Sequence, residues 1–95
     1  MRRVEALSIL REVQPICKEQ FQVERMGIFG SVARDSAQEG SDVDVVVQMP
    51  PDLFAMVHLK EQLEAAFGTP VDLVRYRDRM NPFLKARIER EAVYV

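Results

Sequence analysis

Apolar residues recur at intervals of three and four from Val4 to Phe21, through Val4, Leu7, Leu10, Val13, Cys17 and Phe21. That period lines them along one face of an amphipathic helix. Pro15 stands inside the stretch. It forfeits a backbone hydrogen bond and crowds the preceding turn, which predicts a helix kinked or divided there. From Val23 to Phe29 the pattern shortens to a strand-like run closed by Gly30, with Gly27 marking a bulge or a close approach. Ser31 to Arg34 reads as a helical turn, and Asp35 to Ser41 as a polar connection turned by Gly40. A second strand follows from Asp42 to Gln48, with Val43, Val45 and Val47 on one face.

Pro50-Pro51 ends this strand, and Asp52 is placed to cap a helix reaching Phe67. Leu53, Met56, Val57, Leu63 and Phe67 are its expected core residues, Gly68 its C-cap, and Pro70 prevents continuation. Val71 to Val74 predicts a third strand. Asn81-Pro82 opens a last helix to Glu91. The apolar tail, Ala92 to Val95, is suited to an added edge strand or to a partner surface. Helices and strands in this order predict an α+β fold, a small mixed β-sheet covered on one face by helices.

Ninety-five residues bound the chain to one domain, 1–95, with no room for a second core. A formal net charge of −2 leaves no overall electrostatic footprint for nucleic acid, so direct nucleic-acid binding is not expected. No stretch approaches the ~20 apolar residues that span a bilayer, and the N-terminal residues do not form a signal peptide. With Cys17 as the single cysteine, no internal disulfide is available. The expected location is the cytoplasm, away from membranes. His58, the one histidine, has no companion ligand and reads as a surface or half-buried helix residue.

The chemistry concentrates between Ile28 and Val47. Gly30 and Ser31 close the first strand where a backbone can approach a phosphate closely. Asp42 and Asp44 stand two apart, so a strand turns both carboxylates to one face. Like charges this close repel unless a cation relieves them. Mg²⁺ takes one or two carboxylates plus substrate phosphates, and pairs of such ions about 3.5–4 Å apart recur in polymerases and nucleases. Asp72 is the lone acid in an apolar run, and burying it unpaired would be costly. If its strand lies beside the second, it completes a triad with Asp42 and Asp44. The basic residues from Arg75 to Arg79, with Lys85, Arg87 and Arg90, read first as a solvated face, or as a local patch for phosphates or an acidic partner.

Phe29-Gly30-Ser31-Val32-Ala33-Arg34, then Ser41-Asp42-Val43-Asp44, then Val71-Asp72-Leu73-Val74, resemble the minimal nucleotidyltransferases of HEPN/MNT toxin–antitoxin pairs, within the DNA polymerase beta-like superfamily. The similarity spans nearly the whole chain. One departure is visible: such proteins usually carry Gly after the Arg, where this chain has Asp35, adding a negative charge near the presumed triphosphate.

The resemblance implies a polymerase-like palm without fingers or thumb. It implies two Mg²⁺ ions on Asp42 and Asp44, assisted by Asp72, with Gly30, Ser31 and Arg34 holding the phosphates of ATP. The implied reaction is transfer of AMP to a tyrosine hydroxyl of a partner HEPN toxin, an α-helical RNase. A binding antitoxin that silences its partner by occlusion alone is the competing reading. A small-molecule nucleotidyltransferase of the aminoglycoside type is a third, without a visible acceptor domain.

Overall fold

The computed structural model describes all 95 residues, Met1–Val95. Its elements run α1 (Arg3–Phe21), β1 (Arg25–Phe29), α2 (Gly30–Ala33), β2 (Val43–Gln48), α3 (Leu53–Phe67), β3 (Val71–Arg75), α4 (Pro82–Glu91) and β4 (Val93–Tyr94). No helix is long and apolar enough to cross a membrane.

Helix α1 is continuous and is not divided at Pro15. Pro15 and Arg11, whose carbonyl loses its partner, are both exposed, so water can satisfy that carbonyl and the helix tolerates the loss. Ala6, Leu10 and Cys17 form the buried stripe, while Val4, expected among them, is exposed. Burial also pushes the Cys17 thiol above its ordinary pKa. In α3 the Asp52 carboxylate accepts from the Ala55 N–H at 3.0 Å, and Gly68 closes the other end at φ 71°. Its buried residues are Leu59, Leu63 and Phe67. Leu53 and Val57, expected in the core, are exposed instead. Val57 follows half-buried Met56 by one residue, about 100° round the axis, which carries it off the stripe.

The sheet order is β3-β2-β1-β4, with β2 parallel to β3 and antiparallel to β1, and β1 antiparallel to β4. The mixed α+β architecture is therefore as the sequence predicts. The tail supplies the added strand: Val95 N–H donates to the Met26 carbonyl at 3.0 Å. A Cβ on Gly27 would lie 2.5 Å from the Val93 carbonyl oxygen, so the close approach at Gly27 is the seating of β4.

The main core lies under α1 and α3, where Met26, Ile28, Val43, Val45 and Val47 meet Leu10, Leu59 and Leu63. Strand alternation sends Phe29 and Val46 to the other face. There α4 lies across the sheet and packs Ile88 against them, with Met80 beside, so this face is covered only in part. The uncovered end carries the acids.

Candidate active site

Asp44 stands at the start of β2, opposite Phe29 of β1 and in register with Asp72 of β3. Residues paired across a sheet share a face, so both carboxylates point to the side that α4 leaves open. Asp42 lies two residues earlier, just ahead of the strand. Asp44 is half-buried, while Asp42 and Asp72 are exposed. Exposure removes the cost of an unpaired buried carboxylate at Asp72, and β3 is an edge strand, yet its place beside Asp44 is the one a triad requires.

Burial pushes the Asp44 carboxyl above its usual range and the Asp72 charge raises it further; Asp42 adds to this, whereas Arg87 and Arg34 pull it down. The field at Asp44 thus comes from the other two acids and two arginines. The carboxylates do not converge into a closed cage of three ligands. They line an open rim instead, which suits Mg²⁺, since it keeps waters and takes only one or two carboxylates alongside substrate phosphates. Hard oxygen donors and the repulsion from Asp72 and Asp42 at Asp44 fit a divalent cation held by Asp42 and Asp44, with Asp72 beside them.

Gly30 closes against this rim. Its φ is 71°, in the left-handed region, and a Cβ there would collide with Oδ2 of Asp44. No side chain fits between the β1–α2 turn and the second strand, so the turn lies directly against Asp44. Ser31 follows in the first turn of α2, half-buried. Arg34, at the C-cap of α2, is drawn toward the same place. All six candidate residues of the sequence reading, Gly30, Ser31, Arg34, Asp42, Asp44 and Asp72, come together at one end of the sheet.

The sequence does not single out Glu91, and it offers Arg87 only within a basic run that reads as a solvated face or as a local patch for phosphates or an acidic partner. Glu91, at the end of α4, accepts from the Gly30 N–H at 3.2 Å and from Nη1 of Arg34 at 2.8 Å. Arg87, one turn earlier, lies 3.9 Å from the same carboxylate, with its guanidinium 5.8 Å from the Phe29 ring centroid. Partial burial pushes the Glu91 carboxyl up, but Arg34, the Gly30 N–H and Arg87 outweigh it and hold the pKa below the usual carboxylate range. A signal was available: an acid in the last turn of a helix faces the negative end of the helix dipole and needs cations nearby.

Asp35 sits at φ 58°, which explains why a glycine suits the position. Its carboxylate does not crowd the acid rim but accepts the Arg3 N–H at 2.9 Å, so it serves the start of α1. His58 is exposed on α3, away from these residues in sequence and element. The two concavities lie elsewhere: one of about 290 Å³ between Arg25, Gln48, Tyr76 and Tyr94, and one of about 230 Å³ between the end of α1 and the start of α3. The acid rim is thus a shelf, not a pocket.

Comparison with known proteins identifies the family and the fold. The sequence profile of the nucleotidyltransferase domain matches residues 10–95. The protein adenylyltransferase MntA of Thermococcus cleftensis is 39% identical over 90 residues, which cover 93% of this chain and 90% of that protein. A solved minimal nucleotidyltransferase superposes with a TM-score of 0.80 at 33% identity, covering 98% of this chain and 95% of the other. The fold also matches that in a complex of the tri-AMPylated Shewanella oneidensis HEPN toxin with its MNT antitoxin, at TM-score 0.60 and 21% identity, over 97% of this chain and 66% of that one.

Proposed function

The chain belongs to the nucleotidyltransferase domain family, and from that premise we propose that it is an antitoxin that transfers AMP from ATP to a tyrosine hydroxyl of a HEPN toxin. The observation that carries this reading is the seating of Gly30 directly against Asp44, with Asp72 in register beside it. That arrangement sets a phosphate cradle against a row of carboxylates. Named relatives and neighbours support the class of acceptor: one relative is a protein adenylyltransferase, and one neighbour of the same fold sits beside an AMPylated toxin.

The acceptor oxygen attacks the α-phosphorus while the bond to the β-phosphate oxygen breaks, and pyrophosphate leaves. Asp72, exposed and beside Asp44, is placed to take the hydroxyl proton. Ser31 and the backbone around Gly30 hold the outer phosphates, with Arg34 alongside. Asp42 and Asp44, assisted by Asp72, would hold Mg²⁺, which would supply charge neutralisation at the phosphates and a lowered hydroxyl pKa. An open shelf also fits an acceptor presented by another folded protein, and the two concavities of this chain lie away from the acids. The work is that of a cytoplasmic protein.

Turnover separates this reading from occlusion. A trace of the chain with ATP and Mg²⁺ is expected to silence an excess of the HEPN toxin, which gains mass in AMP increments. The Asp42→Asn variant is expected to lose that protection. Unmodified toxin silenced only at equal amounts, by wild type and Asp42→Asn alike and without nucleotide, would establish a binding antitoxin instead.

A further inference from the structure

Arg34 and Arg87 approach the acid rim from different elements, one from the end of α2 and one from α4. Each side chain is about half exposed, at 49% and 46%, whereas the Glu91 carboxylate between them is 11% exposed. Such a carboxylate can anchor two cations while leaving much of each guanidinium open to a further anion. The Arg87 contact with Glu91 is long, at 3.9 Å, and joins residues one turn apart on the same helix. A pair of this kind holds little of the fold.

Position adds to this. Arg87 lies over the ring of Phe29, and Phe29 is the β1 partner of Asp44, so the guanidinium stands on the same face as Asp44 and near it. Its charge is felt at Asp44 more strongly than that of Arg34. A triphosphate brought to three carboxylates meets unfavourable charge, and a guanidinium that binds two oxygens at once is well suited to offset it.

We propose that Arg87 is a further substrate-binding residue, which with Arg34 forms a two-arginine clamp on the β- and γ-phosphates, and that Glu91 is the positioning residue that aims both. The inference rests on the nucleotidyltransferase reading and extends it to the C-terminal helix. The clamp binds the part of the nucleotide that leaves as pyrophosphate. Its ligand chemistry is therefore a polyphosphate chain, independent of the base.

The test is calorimetric titration of the full chain with inorganic tripolyphosphate, ATP and AMP. Arg87→Ala is expected to weaken tripolyphosphate and ATP about tenfold or more, the worth of a charge-assisted hydrogen bond, while AMP binds as to wild type. Arg87→Lys should recover part of the loss, and the thermal midpoint of both variants should stay that of wild type. Equal loss for AMP and ATP, or tripolyphosphate affinity within about twofold of wild type in Arg87→Ala, would overturn the clamp. Wild type with this binding pattern but without AMP transfer to a toxin would break the transfer reading and leave the clamp standing. Wild type that transfers AMP while Arg87→Ala binds like wild type would break the clamp alone, and wild type that binds neither anion would overturn both.

Discussion

The two faces of the sheet are built from the same strands and do opposite work. Under α1 and α3, Val43, Val45 and Val47 of β2 are fully buried among aliphatic neighbours. On the other side the alternate residues are Asp44, Val46 and Gln48, and only Val46 is fully buried, beneath Ile88 of α4. A strand that alternates faces can therefore hold the core with one set of residues and spend the other on carboxylates, whose mutual repulsion opposes folding. Stability and chemistry are separated by a single step along the chain.

Adjacent residues give the hardest test of that separation. Val45→Asp buries an unpaired charge in the closed face and is expected to cost several kcal/mol, comparable with the whole stability of a small domain, so circular dichroism should show a largely unfolded chain. Asp44→Asn on the open face should abolish AMP transfer yet unfold at the same temperature as wild type or slightly higher, because it removes a charge that burial and Asp72 disfavour. An Asp44→Asn protein that transfers AMP at full rate would remove the acid row from the chemistry.

Two glycines sharpen the comparison at smaller scale. Gly30 and Gly68 have the same φ of 71°, but nothing lies within 4 Å of a Cβ on Gly68, whereas one on Gly30 strikes Asp44. Gly68→Ala should cost about 1 kcal/mol, the left-handed strain alone. Gly30→Ala adds a steric clash at the acid row, so denaturant unfolding should show a larger loss and ATP affinity should fall. Equal losses for the two, with ATP binding intact, would mean that the contact between Gly30 and Asp44 is incidental.

The smallest effects are in the pH dependence, and they have opposite signs. The depressed Glu91 pKa contributes stability above its unfolded value of about 4.5, and this is lost as pH falls through the folded value. Asp44 runs the other way: its raised pKa favours the fold below its unfolded value of about 3.8, and this is lost as pH rises through the folded value. Denaturation curves from pH 3 to 7 should show Glu91→Gln destabilised by about 0.2–1 kcal/mol near neutrality, converging on wild type in acid. The difference between Asp44→Asn and wild type should instead grow in favour of the variant as pH rises.

Much of this arrangement was legible before any fold was known. Period and punctuation located most helices and strands, because caps such as Asp52 and Asn81, and stops such as Gly68, act through local hydrogen bonds and local dihedral angles. They did not decide the continuity of α1 or the choice of β4 for the tail. The spacing of Asp42 and Asp44 predicts a shared face, although the strand begins only at Val43, and Gly30, Ser31 and Asp72 stand out in the sequence as isolated signals in apolar surroundings. Those properties depend on neighbours in sequence, which the sequence contains in full.

What only the tertiary structure decided depends on residues far apart in the chain. Parallel pairing of β2 with β3 brought Asp72 level with Asp44, and the sequence could state that only as a condition. The path of α4 across the open face brought Glu91, 61 residues from Gly30, onto its N–H and set Arg87, one residue of a basic stretch, over Phe29 beside Asp44. The same holds for Pro15, Val57 and Asp35, whose outcomes followed from which side of an element met solvent or another helix. Local propensity is carried by adjacent residues, but charge, burial and register are summed over everything that packing brings near, and that sum exists only once the chain has folded.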